Sequence, residues 1–147
     1  MKITLQQIAK GKDEVIIKYR EMTEQIERIV SYIEGKGEKW IGIKDGQDYI
    51  LSVHEVVYLE SVEGVTYLYT EHEVYQSNLT LADAEVIYAE EGFFRCSKSM
   101  IINMYRIKRL KSMSGNRIDV TMDNGEHVVV SRHYAKEIRR ILKEATQ

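Results

Sequence analysis

The sequence predicts a mainly β domain over residues 39–147, built of short antiparallel strands with a mid-chain helix and a C-terminal helix. A small ββα extension over residues 1–38 precedes it. Three observations predict this. Beyond residue 39, apolar residues mostly alternate in short runs, the period of a strand with one buried face. Turn residues separate those runs at close intervals. Only two later stretches carry a helical stripe instead.

Taken in order, KITLQQI (2–8) and EVIIKY (14–19) read as strands rich in β-branched residues, joined by a Gly-Lys-Asp turn. Thr23 caps a helix whose apolar stripe is Met22, Ile26, Ile29, Val30 and Ile33, and Gly35 ends it. The run GKGEK (35–39), two glycines and three charges, is the best boundary in the chain. WIGIK (40–44), YIL (49–51), VVYLE (56–60), VTYLYT (65–70) and EVYQS (73–77) follow as strands. Thr80 opens a short helix with Leu81, Ala84, Ile87 and Tyr88 facing inward and Gly92 closing it. IKRLKSM (107–113), RIDVTM (117–122) and EHVVVS (126–131) complete the strands. Asn124-Gly125 between the last two is the strongest hairpin signal, since both residues tolerate the positive φ of a type I′ turn. From Ser131 a final helix places Tyr134, Ile138, Ile141 and Leu142 on one face and Lys136, Arg139, Arg140 and Lys143 on another.

A chain 44% hydrophobic and 30% charged is an ordinary globular protein, not a disordered one. No apolar run is long enough to span a bilayer, and the N-terminus turns polar too soon for a secretory signal. Lone Cys96 forms no internal disulfide. The expectation is a cytoplasmic, reduced protein with no membrane partner.

Enzymatic chemistry has little to stand on. His54, His72, His127 and His133 lack metal-ligand spacing, and no P-loop, GxGxxG or GxSxG is present. No cofactor, metal, catalytic residue or small-molecule ligand is expected. Cys96 between Arg95 and Ser97 reads as packing. Asn78-Leu79-Thr80 matches a glycosylation sequon but reads as the start of a helix. Tyr58, Tyr67, Tyr69 and Tyr75 could stack single-stranded RNA bases, yet Glu60, Glu63, Glu71 and Glu73 make that region repel phosphate.

Charge distribution points elsewhere. The net charge is only −2, but residues 1–91 carry 9 Lys and Arg against 18 Asp and Glu, and residues 92–147 carry 12 against 5. Eleven cations lie between Arg95 and Arg140, interleaved with Ser97, Ser99, Asn103, Ser131 and His133. Lys, Arg and Ser position phosphates, while Arg, Lys and Asn read base edges. A basic face that docks an acidic protein is the competing reading.

Three runs in this region resemble one known family. The first is residues 93–103, FFRCSKSMIIN, followed by Ile107; it is similar to the pattern FxRxHrSxxVNxxxI of LytTR-type DNA-binding domains. Gly125, Glu126, Val128, Val130, Ser131, Arg132 and Tyr134 match a second element, which opens the last helix. Glu55, Val56, Tyr58, Glu60 and Ser61 match a third. The resemblance covers roughly residues 40–145.

It implies three short antiparallel sheets stacked in an elongated fold. It also implies a transcription regulator that inserts loops into successive major grooves of direct-repeat sites in double-stranded DNA. Carried over, the loop of Ser97, Lys98 and Ser99, flanked by Arg95 and Asn103, enters one groove. Ser131, Arg132 and His133 enter another, and the segment from Gly64 through Thr66 to Tyr67 makes a lesser contact. Lys136 and Arg139 on the last helix add phosphate contacts. Many members carry His where this chain has Ser97. Members commonly carry a receiver domain upstream; the 38 residues here are too few for one, so a short stand-alone member is expected. The apolar stripe of the extension packs on its own strands or pairs two copies into a homodimer.

Overall fold

A computed structural model describes residues 1–35 and 38–145. Lys36 and Gly37, the centre of the expected GKGEK boundary, lie outside the described residues. The chain divides into two compact units, Met1–Lys36 and Gly37–Gln147.

In the first unit, α1 spans Glu24–Ile33 and the Thr23 hydroxyl accepts from the Ile26 amide at 3.3 Å. Ile26 is buried, whereas Met22 and Ile33 stand half exposed. The expected strands at 2–8 and 14–19 are absent: no residue before Thr23 joins a ladder. Their propensity is that of strands, but an isolated two-stranded hairpin is marginal in water and nothing within this unit supplies a third strand.

The described residues of the second unit hold ten strands: β1 (Lys39–Lys44), β2 (Gln47–Ser52), β3 (Tyr58–Val62), β4 (Val65–Tyr69), β5 (Val74–Ser77), β6 (Phe93–Ser97), β7 (Met100–Asn103), β8 (Ile107–Met113), β9 (Arg117–Met122) and β10 (His127–Val130). α2 (Leu81–Ile87) lies between β5 and β6, and α3 (Arg132–Ala145) follows β10. All pairings are antiparallel. They form two sheets, β2-β1-β5-β4-β3-β7-β6 and β10-β9-β8, where three were expected. The difference is one contact: Ile43 pairs with Gln76 and joins the β1–β2 hairpin to the rest.

The tightest turns also differ from expectation. Asp45-Gly46 and Glu63-Gly64 take positive φ at both residues, giving two-residue turns that hold Lys44 to Gln47 and Val62 to Val65. At Asp123-Asn124-Gly125 only Gly125 has positive φ, and the Met122 amide reaches the Glu126 carbonyl across a three-residue loop.

Strand alternation divides the interior in two. Leu59 and Ile101 face one core with Trp40, Leu68 and Phe93, covered by Leu81, Ala84 and Tyr88 of the α2 segment. Tyr58 and Ile102, their neighbours in sequence, face a second core with Cys96, Val120, Val130 and Ile138. β3 and β7 are thus the shared wall. Tyr88 stacks on Trp40 at 3.6 Å and its hydroxyl donates to the Lys39 carbonyl at 2.8 Å. Thr80 caps α2 in a reciprocal box with Asp83. Ile87, expected inward, is 52% exposed because the chain leaves the helix there and tightens into a 3-10 turn over residues 89–91. On α3, Ala135 and Ile138 are buried, and Tyr134, Ile141 and Leu142 flank them at partial exposure.

Candidate nucleic-acid interface

The interface begins with the hairpin of β6 and β7. Ser97 pairs with Met100, leaving Lys98 and Ser99 as its tip. The register shifts between Arg95 and Ser97, so Cys96 is a bulge residue. The extra residue turns Cys96 into the second core while its carbonyl stays available. Burial pushes the thiol up to about 12, which keeps it neutral and unreactive.

Arg95 supports this tip from below. Its guanidinium donates to the Ser97 carbonyl at 2.8 Å, to the Lys98 carbonyl, and to Glu85 at 3.1 Å. The Ser97 hydroxyl accepts from the Ser99 amide at 3.3 Å. Lys98 and Ser99 are exposed, and the Lys98 ammonium makes no ion pair with any described residue.

Two backbone hydrogen bonds tie this hairpin to its neighbours. The Ser131 amide donates to the Cys96 carbonyl at 2.9 Å, and the Ser61 amide donates to the Ser99 carbonyl at 2.8 Å. The first joins the start of α3 to the bulge. The second joins the β3–β4 hairpin, with its Glu63-Gly64 turn, to the tip. All three runs singled out in the sequence therefore meet along one connected edge of backbone.

At the start of α3 the Ser131 carbonyl accepts from Tyr134 and Ala135, each at 3.0 Å. The amides of Arg132 and His133 have no acceptor among the described residues, as first-turn amides do not in a helix. Both side chains are exposed, and the His133 ring meets Tyr134 edge-on at 4.8 Å. The first turn carries no acid, so cations stand at the positive end of the helix dipole, an unfavourable place without an anion. Lys136 is exposed and unpaired among the described residues, and Arg139 reaches the Ser112 hydroxyl at 3.5 Å.

The remaining expected residues fall differently. Asn103 is 1% exposed; its amide donates to the Val56 carbonyl at 2.9 Å and its oxygen accepts from Tyr105 at 3.0 Å. Expected beside the groove contact, it is a buried brace whose side chain does not reach the surface. Thr66 is 4% exposed and points into the molecule, while Tyr67 lies on the opposite face of β4, partly exposed. Arg95, expected beside the groove contact, has its guanidinium engaged by the Ser97 and Lys98 carbonyls and by Glu85, and acts as a clamp on the tip. Arg106 pairs with Asp123 at 2.6 Å and Arg140 with Glu144 at 2.7 Å, so neither cation is free. The carbonyls of Cys96 and Ser99 are invisible to a side-chain reading; the bulge that frees Cys96 leaves no composition signal.

The described residues hold no cluster of His, Cys, Asp or Glu able to bind a metal ion. Among them, no helix is long and apolar enough to cross a membrane.

A model of the LytTr DNA-binding domain matches residues 46–143. Similar proteins include the sensory transduction protein LytT of Bacillus anthracis, 29% identical over 94 residues that cover 64% of this chain and 38% of that one. LytT of Enterococcus faecalis is 32% identical over 99 residues, covering 66% and 41%. The transcriptional regulatory protein YpdB of Escherichia coli is 26% identical over 101 residues, covering 68% and 41%. The chain thus spans about two fifths of the length of these relatives. A solved LytTr DNA-binding domain from a Bacillus cereus response regulator superposes with a TM-score of 0.67 at 28% identity. It covers 71% of this chain and 95% of that one.

Proposed function

The chain belongs to the LytTR DNA-binding domain family, and from that premise we propose that it is a sequence-specific regulator of transcription that acts on duplex DNA in the cytoplasm. Residues 39–147 are the DNA-binding domain. Lys98, with Ser97 and Ser99, enters one major groove, and Arg132 and His133 with Ser131 enter the next. Tyr67 and the Glu63-Gly64 turn approach as a lesser contact, and Lys136 and Arg139 neutralise phosphates. Two copies occupy a direct repeat, and no catalytic step is involved.

The observation that carries this reading is the connected edge. The Ser131–Cys96 and Ser61–Ser99 backbone bonds hold three exposed elements in fixed relation, which is what reading two grooves at once requires. The unpaired amides and cations at the start of α3 favour an anion there, and phosphate is the anion DNA offers.

The test is footprinting on the DNA upstream of the chain's own gene, followed by gel shifts across salt. Two protected sites about one helical turn (10–10.5 bp) apart are expected. Affinity should fall steeply between 50 and 200 mM salt. Absence of duplex binding, or binding insensitive to salt, overturns the reading in favour of a protein-docking module.

A further inference from the structure

The β8–β9 hairpin ends beside the start of α3, and the groove-entering set leaves it unused. Val130 pairs with Ile118, so the next position in that register sets Arg117 against Ser131. Arg117 pairs in turn with Met113 on β8. The loop Ser114-Gly115-Asn116 joins the two strands through consecutive positive φ angles, 74° at Gly115 and 59° at Asn116. This end of the three-stranded sheet therefore continues the connected edge by two strands beyond Ser131.

Its charge is one-sided. Residues 107–118 hold Lys108, Arg109, Lys111 and Arg117 and no acid. Ile118, Val120 and Met122 turn into the core, so Arg117, Asp119 and the Lys111 that pairs with Asp119 turn outward. Asp119, the acid on that face, is engaged by His127 at 3.1 Å. Lys111 and Arg117 are exposed and make no ion pair with any described residue. The Arg117 Nε donates to the Ser114 carbonyl at 3.2 Å, which folds the side chain over the loop and leaves the terminal guanidinium nitrogens without a described acceptor. On the opposite face Arg139 reaches the Ser112 hydroxyl at 3.5 Å, so the hairpin end carries cations on both sides.

We propose that this hairpin end is a phosphate clamp: with Ser131, Arg132 and His133 in a major groove, Arg117 and Lys111 hold the sugar–phosphate strand that walls it. The proposal rests on the DNA-binding reading and adds a fourth element to it. Distance selects the wall of the groove over its floor. Neighbouring strands lie about 4.8 Å apart, which sets β9 about 5 Å and β8 about 10 Å from β10. The major groove is about 12 Å wide, so an element displaced that far from one entering it meets the bordering phosphates. Arginine takes phosphate through paired N–H donors, and the terminal nitrogens of Arg117 supply them. Continuity with the connected edge selects duplex phosphate over an acidic protein as the occupant.

The test is gel shifts of the full chain on the footprinted duplex and a scrambled one between 50 and 200 mM salt, wild type beside Arg117→Gln/Lys111→Gln. The variant should bind both duplexes more weakly and to the same degree. Its loss of affinity across that salt range should be about tenfold smaller than the wild type's, since each phosphate contact adds about 0.9 to the logarithmic salt slope. Arg117→Lys keeps the charge and should keep the wild-type slope. A wild-type slope in the double variant overturns the proposal and leaves the surface to an acidic protein. A loss confined to the footprinted duplex also overturns it, because the side chains would then read bases. So does an Arg117→Lys slope as shallow as that of Arg117→Gln, which would make Arg117 a brace of the loop. Should the double variant melt early, Lys111→Gln alone carries the test, with a slope shallower by about 0.9 expected. If the wild type binds no duplex, the DNA-binding reading fails and the clamp with it; if it binds and the variants match it, the clamp alone fails.

Discussion

The amide of Ser131 donates to the carbonyl of Cys96 at 2.9 Å, which fastens the start of α3 to the bulge beside Lys98. A helix terminus and a hairpin tip separated by more than thirty residues are thereby joined directly through the backbone.

Lys98→Ala and His133→Ala test the groove contacts. Each should weaken binding to a cognate site by about 1–3 kcal/mol, the worth of a good base contact. Both side chains are exposed, so thermal stability should stay within about 0.5 kcal/mol. Wild-type affinity in the double variant refutes the assignment.

Arg132→Glu separates stability from function. An acid at the positive end of α3 should stabilise the free protein by about 0.3–1 kcal/mol at low ionic strength. The same change places a negative charge against phosphate and should weaken all duplex sequences. Thermal melts without DNA and gel shifts with it read the two effects; a variant that loses both stability and affinity contradicts this account.

Arg95→Ala should act indirectly. Losing its bonds to the Ser97 and Lys98 carbonyls removes charge-assisted contacts worth roughly 1.5–3 kcal/mol each before solvent screening. The tip should loosen, so that adding Lys98→Ala costs much less affinity than it does in the wild type. Additive losses in that double-mutant cycle would make Arg95 a direct DNA contact instead. Glu85, 46% exposed, should matter less: Glu85→Gln should cost about 0–1 kcal/mol.

Asn103→Ala should destabilise by about 1–3 kcal/mol in urea unfolding, because the buried Val56 carbonyl loses its partner. Affinity of the folded fraction should be unchanged. A variant of normal stability and reduced affinity would restore Asn103 to the interface.

Alkaline pH should weaken the fold in a defined window. Burial raises the Cys96 thiol from 9.0 to about 12 and the Tyr58 hydroxyl from 10.0 to about 12. The folded state holds both protons more tightly than the unfolded chain does, so their contribution is complete below pH 9 and is lost as pH rises toward 12. Cys96→Ala should flatten the decline that begins near pH 9 in chemical denaturation. An equally steep decline in that variant excludes the thiol as its source.

Much of this was legible in residue order. Phe93, Phe94, Ile101 and Ile102 announce core on both sides of a polar middle, and the β6–β7 hairpin has that form. The cationic run from Arg95 to Arg140 and the period-two strands need only side-chain chemistry to be read. What escaped were assignments that depend on facing partners. Asn103 and Arg95 carry the residue types of a DNA contact, but the Val56 carbonyl and the tip carbonyls claim them first. The strands of the extension have the propensity but no neighbour, and propensity alone does not make a ladder.

By itself the sequence determined the strand periods, the helix caps at Thr23 and Thr80, and the side chains offered to a polyanion. These are local properties, set by neighbours within a few residues. Tertiary structure decided which cations remain free, that adjacent Ile101 and Ile102 serve different cores, and that Ser61, Ser99, Cys96 and Ser131 lie along one edge. Those depend on backbone groups from distant segments meeting across β3 and β7, and a backbone carbonyl carries no mark in the sequence of which amide will find it.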